Sequence, residues 1–267
     1  MKKITKFLIH LTLIAAVLSS ATLNISQFAV MGQPELPTKT EPDNTQPGGP
    51  RFIQPPEDID DPPPGRKTRV RGCNIDVTAL MPENKIGRTV SDYPTFFFYL
   101  YLPKTPETEA ETQVQLAEFI LTDESGKLIY KQSLTISKLS GVIGVSIPAD
   151  KNVPPLEVGK KYTWTFTLIC DPTQKEDSSG DKSESGVVGR VELSADILGE
   201  LEKAEPRQKT FIYAKNGIWQ DALSTLAAAR RANPNDPLLK SDWESLLDSV
   251  KLGQIAQEQI LEIEPQP

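Results

Sequence analysis

Tyr162, Trp164, Phe166 and Leu168 alternate with Thr163, Thr165 and Thr167. A period of two sets the four large apolar side chains on one face of an extended segment and the threonines on the other, which is the pattern of a half-buried β-strand. The turn formers Glu157-Val158-Gly159-Lys160 precede it. Such a strand needs neighbours, and the same spacing recurs on both sides. Ala117, Phe119 and Leu121 face Leu128 and Tyr130 across Asp123-Glu124-Ser125-Gly126, where a glycine can take the left-handed position of a hairpin loop. Further short strands are expected near Ile75–Leu80, Thr95–Leu102, Val142–Ile147 and Gly186–Leu193. Seven short strands with turn signals between them predict a mainly β domain over 69–193, an immunoglobulin-like antiparallel β-sandwich, with a barrel as the alternative. The polar stretch 171–185 is expected to be a long loop before the last strand, either disordered or a binding loop.

One strand of this set is aromatic on both faces. Phe96, Phe98 and Leu100 project to one side, and Phe97, Tyr99 and Tyr101 to the other. The first set can fill a sandwich core, whereas the second needs a cover. After Ser194 the pattern changes to helical spacing. Pro206 can open a helix that Asn216-Gly217 closes. Ala222, Leu223, Leu226 and Ala229 recur at three- and four-residue intervals before Asn233-Pro234, and Asp236-Pro237 opens a helix containing Leu239, Trp243, Leu246 and Leu247. The order Gly217, Trp219, Ala222, Leu226, Ala229, Pro234 is that of a tetratricopeptide-like helix pair. One such pair cannot bury its apolar face alone, so residues 194–253 are expected to dock on the β domain, leaving 254–267 as a tail. Phe97, Tyr99, Tyr101, Trp219 and Trp243 are accordingly the candidate interaction surface, filled either by the chain's own helices or by a ligand.

The N-terminus carries Lys2, Lys3 and Lys6 ahead of the largely apolar run Phe7 to Leu18, followed by Ser19 and Ser20. This is the layout of a secretory signal peptide over 1–21, with cleavage expected between Thr22 and Gln33, and the run is too short and polar for a stable membrane span. Residues 22–68 read as a disordered linker: the stretch 33–65 holds ten prolines and almost no apolar periodicity. Export places the chain in a periplasm or at a cell surface, where Cys73 and Cys170, the two cysteines, are expected to be bridged.

Composition narrows the chemistry further. The formal charge is −7, and the first 21 residues contribute three lysines and no acid, so the remainder is near −7 − 3 = −10; phosphate backbones repel such a chain, and nucleic acid is not an expected partner. The one histidine is His10, inside the signal segment. A chain without it has no Ser-His-Asp or Cys-His arrangement and no histidine-containing metal site. No phosphate loop or dinucleotide fingerprint follows a strand, and no cofactor is expected. Acidic residues are plentiful, but they gather in the linker, in Glu107, Glu109 and Glu111, and in 171–185, where solvated charge collects.

Leu80-Met81-Pro82-Glu83-Asn84, Tyr93-Pro94-Thr95-Phe96-Phe97-Phe98-Tyr99, Leu168-Ile169-Cys170-Asp171-Pro172 and Gly217-Ile218-Trp219-Gln220-Asp221-Ala222-Leu223 together resemble the cyanobacterial domain-of-unknown-function 928 family over roughly Gly72 to Val250. The resemblance implies exported proteins with no assigned catalytic residues, and the 171–185 stretch is longer than the family's usual spacing. Two functions stay open: a non-catalytic envelope module that binds or scaffolds an unknown protein or glycan, and a carboxylate-dependent hydrolase of envelope polymers. Facing acidic residues in one concave pocket would favour the second.

Overall fold

A computed structural model describes residues 48–55, 75–103, 115–136, 140–150, 152–170 and 180–261. The strands are β1 (Asp76–Ala79), β2 (Ile86–Thr89), β3 (Thr95–Tyr101), β4 (Gln115–Asp123), β5 (Leu128–Ile136), β6 (Gly141–Ser146), β7 (Lys161–Ile169) and β8 (Lys182–Arg190). Helices α1 (Ala195–Lys203), α2 (Pro206–Lys215), α3 (Trp219–Ala232) and α4 (Pro237–Asp248) follow, then a 3-10 turn (Gly253–Ile255) and β9 (Ile260–Leu261). The strands form two sheets, ordered β1-β3-β6-β9 and β2-β8-β7-β4-β5.

The alternation read at Tyr162–Leu168 is realised in β7, whose Tyr162, Trp164, Phe166 and Leu168 are buried while the threonines between them are half-buried. Phe96, Phe98 and Leu100 of β3 meet them across the interior. Phe98 stacks on Phe166 with ring centroids 4.2 Å apart, and Phe96 lies 5.0 Å from Phe119. Each buried aromatic contributes about 1.5–3 kcal/mol from area alone, so this block of rings is the main stabilising unit of the sandwich. At the β4–β5 hairpin, Asp123 Oδ1 accepts from the Ser125 and Lys127 amides and from Ser125 Oγ, which holds its carboxyl below the usual range, and Gly126 takes the positive φ of 82° that the turn requires.

Three points depart from the sequence reading. The pairing is not wholly antiparallel, because β2 runs parallel to β8 and β6 parallel to β9. β2 and β9 are too short to carry a period-two signal. The last strand of the domain starts at Lys182 rather than Gly186: Ser183 and Ser185 pair with Thr167 and Thr165, and the Thr167 and Ser183 hydroxyls lie 2.9 Å apart on a polar face. A strand with that polar face reads as a loop. The remainder of the expected loop, 171–179, lies outside the described residues. Finally, the expected tail supplies β9, whose Leu261 is buried over Gly141 of β6.

The helical boundaries follow their signals. Ser194 caps α1, in which Leu201 is the buried residue. Pro206 is the first residue of α2, and the Glu205 amide donates to Gln208 Oε1 at 3.1 Å. Asp236 Oδ1 accepts from the Leu238 and Leu239 amides at the start of α4. Helix α3 packs on α2 and α4 and also on β2 and β3, which joins the helical layer to the sandwich.

Candidate interaction surface of the helical unit

The five residues of the candidate surface divide into buried and exposed members. Phe97, Trp219 and Trp243 are 3%, 0% and 0% exposed, so they belong to the interior and cannot meet a ligand directly. The physical reason is that the second aromatic face is covered in part: α3 packs on β3, and Glu258, beyond the helices, reaches Tyr99. The Phe97 ring closes over Gly144 of the neighbouring strand. Trp219, the first residue of α3, donates its indole N–H to the Leu80 carbonyl at 2.8 Å. Trp243 of α4 lies under the Arg230 guanidinium, 5.1 Å from its ring centroid. Tyr99 is half-buried and donates to Glu258 Oε1 at 3.1 Å; burial and then the Glu258 carboxylate push its pKa up to about 12. Tyr101, stacked on Tyr99, is 45% exposed and is the member of the set open to solvent.

Two buried carboxylates fasten elements to one another. Asp221 Oδ2 accepts from Thr89 Oγ1 at 2.7 Å and from the Val90 amide at 3.1 Å, tying α3 to the end of β2. Asp242 is 2% exposed and takes the Arg207 guanidinium through both oxygens, at 2.5 and 3.0 Å, tying α4 to α2.

A third attachment was not legible in the sequence. Part of the proline-rich stretch expected to be a solvated linker, Gly48–Pro55, lies across the helical layer. The Phe52 ring meets Trp219 edge-on at 5.1 Å. The Phe52 amide donates to Ser249 Oγ at 3.1 Å, and the Ile53 amide to the Ala214 carbonyl at 3.0 Å. That carbonyl belongs to the last turn of α2, where helical partners run out. Gly217 closes α2 with φ of 72°, and a Cβ there would fall 2.8 Å from the Pro55 ring. Gly49 approaches α4 so closely that a Cβ would sit 2.6 Å from Ser245. Beside this segment Glu244, Ser245, Asp248, Lys251, Gly253 and Gln254 line an open polar groove of roughly 550 Å³.

Cys170 follows β7 and is not a free thiol, while Cys73 lies outside the described residues. Among the described residues no group of three or more His, Cys, Asp and Glu could hold a metal ion, and no helix is long and apolar enough to cross a membrane.

The family model of Domain of Unknown Function (DUF928) matches residues 64–260, most of the chain. This chain belongs to the DUF928 family. No curated protein matches it. Among solved structures it resembles CopC from Methylosinus trichosporium OB3b at 14% identity and a TM-score of 0.25, over 45% of this chain and 94% of that one.

Two of the stretches that carry the DUF928 resemblance touch each other. From Gly217–Leu223, Trp219 bonds the Leu80 carbonyl, the Gln220 amide lies 3.1 Å from Met81 Sδ, and Asp221 holds the Thr89 hydroxyl; Leu80 and Met81 come from Leu80–Asn84. These two stretches thus meet at the seam between sandwich and helices. Burial pushes the Asp221 carboxyl above its ordinary pKa, against the lowering effect of its two donors. With the folded pKa raised, the folded state binds more protons than the unfolded chain between the two pKa values, so stability falls as pH rises through that window and is level above it. An Asp221→Asn chain keeps an acceptor for Thr89 and Val90 without a buried charge. It is expected to match or exceed the parent melting temperature at pH 7 and to lose that pH dependence. Asp221→Ala strands the Thr89 hydroxyl and Val90 amide and is expected to cost about 1–3 kcal/mol for each. Thermal melts at pH 4 to 8 check all three chains, and a strongly destabilised Asp221→Asn would contradict the assignment.

Proposed function

We propose that this DUF928 chain is an exported, non-catalytic binding or scaffolding module of a cyanobacterial envelope, and that its helical layer is the binding element. One observation carries the reading: Gly48–Pro55, an extended segment without secondary structure of its own, is seated across α2, α3 and α4. A surface that takes one extended peptide has the chemistry to take others. The strand order supports an immunoglobulin-like frame, with β1, β3 and β6 against β8, β7, β4 and β5. So does Tyr162 at the start of β7, whose hydroxyl accepts from the Glu157 amide at 2.8 Å in the manner of a tyrosine corner. Helices α2 and α3 with their Asn233-Pro234 stop support the tetratricopeptide-like reading of the layer.

The hydrolase alternative has weaker support. Asp221 and Asp242 are engaged in fastening elements. Glu244 and Asp248 line the open groove, but they lie one turn apart on one helix rather than facing each other across a partly apolar pocket. The mature protein, immobilised and washed with envelope extract, is expected to retain a protein or glycan saturably while releasing no soluble fragments from envelope polymers. Fragment release that stops in a Glu244→Gln or Asp248→Asn chain would replace this reading with the hydrolase.

A further inference from the structure

We infer that the helical layer recognises a proline-flanked, extended peptide of a partner protein with the pattern Gly-Pro-x-Phe-x-x-Pro, and that Gly48–Pro55 is a tethered occupant of that site which the partner displaces. The inference rests on the binding-module reading and names its partner.

The pattern comes from which side chains face the helices. Pro50 is buried, and Phe52 and Pro55 are half-buried, whereas Arg51, Ile53 and Gln54 between them are exposed, Ile53 by 56%. Phe52 and Pro55 have fitted counterparts, and so does the Gly49 backbone. Phe52 meets the edge of Trp219, Pro55 lies in the space that the missing Cβ of Gly217 leaves, and Gly49 fits against Ser245 and Asp242 where a side chain would collide. Orientation is set by two backbone hydrogen bonds, to Ser249 Oγ and the Ala214 carbonyl. An aromatic edge, backbone donors and acceptors, and proline-shaped spaces form the recognition mode of extended proline-rich ligands, whose restricted backbone lowers the ordering cost of binding. The side chains of Arg51, Ile53 and Gln54 make no hydrogen bond to the helices among the described residues, so their identity is free to vary in a partner.

Displacement follows from the small number of attachments. Two hydrogen bonds, the Phe52 edge and the close packing of Gly49, Pro50 and Pro55 hold the segment, fewer attachments than a core element has, and segments with few buried contacts open at far lower cost than the core. A tethered occupant lowers the apparent affinity for a free peptide by the fraction of chains whose site is vacant, and loosening the tethered copy restores it.

The test uses a fluorescein-labelled peptide of sequence Gly-Gly-Pro-Arg-Phe-Ile-Gln-Pro, its counterpart with alanine for phenylalanine, the full wild-type chain and a full-length Phe52→Ala chain, read by fluorescence anisotropy. The peptide is expected to bind Phe52→Ala at least about tenfold more tightly than wild type, and the alanine peptide to bind neither. Absence of binding to a Phe52→Ala chain that still melts cooperatively overturns the inference and makes Gly48–Pro55 a permanent strap. If Phe52→Ala does not fold, hydrogen exchange on the wild type decides. Ile53 exchanging well before the α3 amides supports displacement, and Ile53 exchanging only with global unfolding overturns it. An envelope partner retained equally by wild type and a folded Phe52→Ala chain sinks this inference while leaving the binding-module reading in place.

Discussion

Replacing Trp219 with alanine is expected to lower stability by about 3–5 kcal/mol, the range for truncating a buried tryptophan, and to lower the melting temperature by roughly 6–20 °C for a folded unit of this size. The indole is fully buried, so its removal leaves a cavity rather than a solvated gap. Its N–H is the partner of the Leu80 carbonyl, and an alanine leaves that acceptor without this bond on the sandwich side of the seam. Its edge also supports Phe52, so the Gly48–Pro55 segment is expected to become exchangeable in the same variant. Three attachments therefore fail together. The surface ion pair between Lys251 and Glu83, which also bridges the helical layer and the sandwich at 2.7 Å, cannot substitute, because its side chains are 79% and 76% exposed and such pairs contribute little. Thermal melts followed by near-ultraviolet circular dichroism check this, and a Trp219→Ala chain with the parent melting temperature would show that the helices are fastened elsewhere.

Breaking a Cys73–Cys170 bridge is expected to cost about as much. The loop it would close spans 170 − 73 = 97 residues, and in the chain-entropy model a loop of about 100 residues gives about 4–5 kcal/mol. The described residues set the reach. Lys182 pairs with Leu168 at the end of β7 and bonds Asp76 Oδ1 at 2.8 Å, which brings the start of β1 beside the end of β7. Cys73 precedes Asp76 by three residues, a distance the chain covers in about 11 Å when extended. Thiol labelling of the unfolded, unreduced protein is expected to find no reactive cysteine, and reduction to lower the melting temperature markedly. Two labelled thiols would refute the bridge.

The amino-acid sequence by itself determined the elements whose signals are local. The alternation of Tyr162–Leu168, the two-faced strand Phe96–Tyr101 and the hairpin at Asp123–Gly126 follow from side-chain period and turn chemistry. So do the limits of α2, α3 and α4, where Pro206, Gly217, Asn233 and Asp236 act within one turn of themselves. The need for a cover over the second face of β3 was also legible, because an unpaired helix hairpin and an exposed aromatic face each require a partner. What the sequence could not show is which residues meet across long separations. The polar half of β8 reads as a loop because its side chains are those of a solvated segment, and only the ladder with β7 makes it a strand. β2 and β9 exist only through parallel pairing with β8 and β6, a tertiary event that leaves no period in two or four residues. The same reason hid the site. Phe52 and Pro55 stand in a proline-rich stretch whose composition predicts a solvated linker, and it is the assembled face of Trp219 and Gly217, far along the chain, that gives those two side chains somewhere to go.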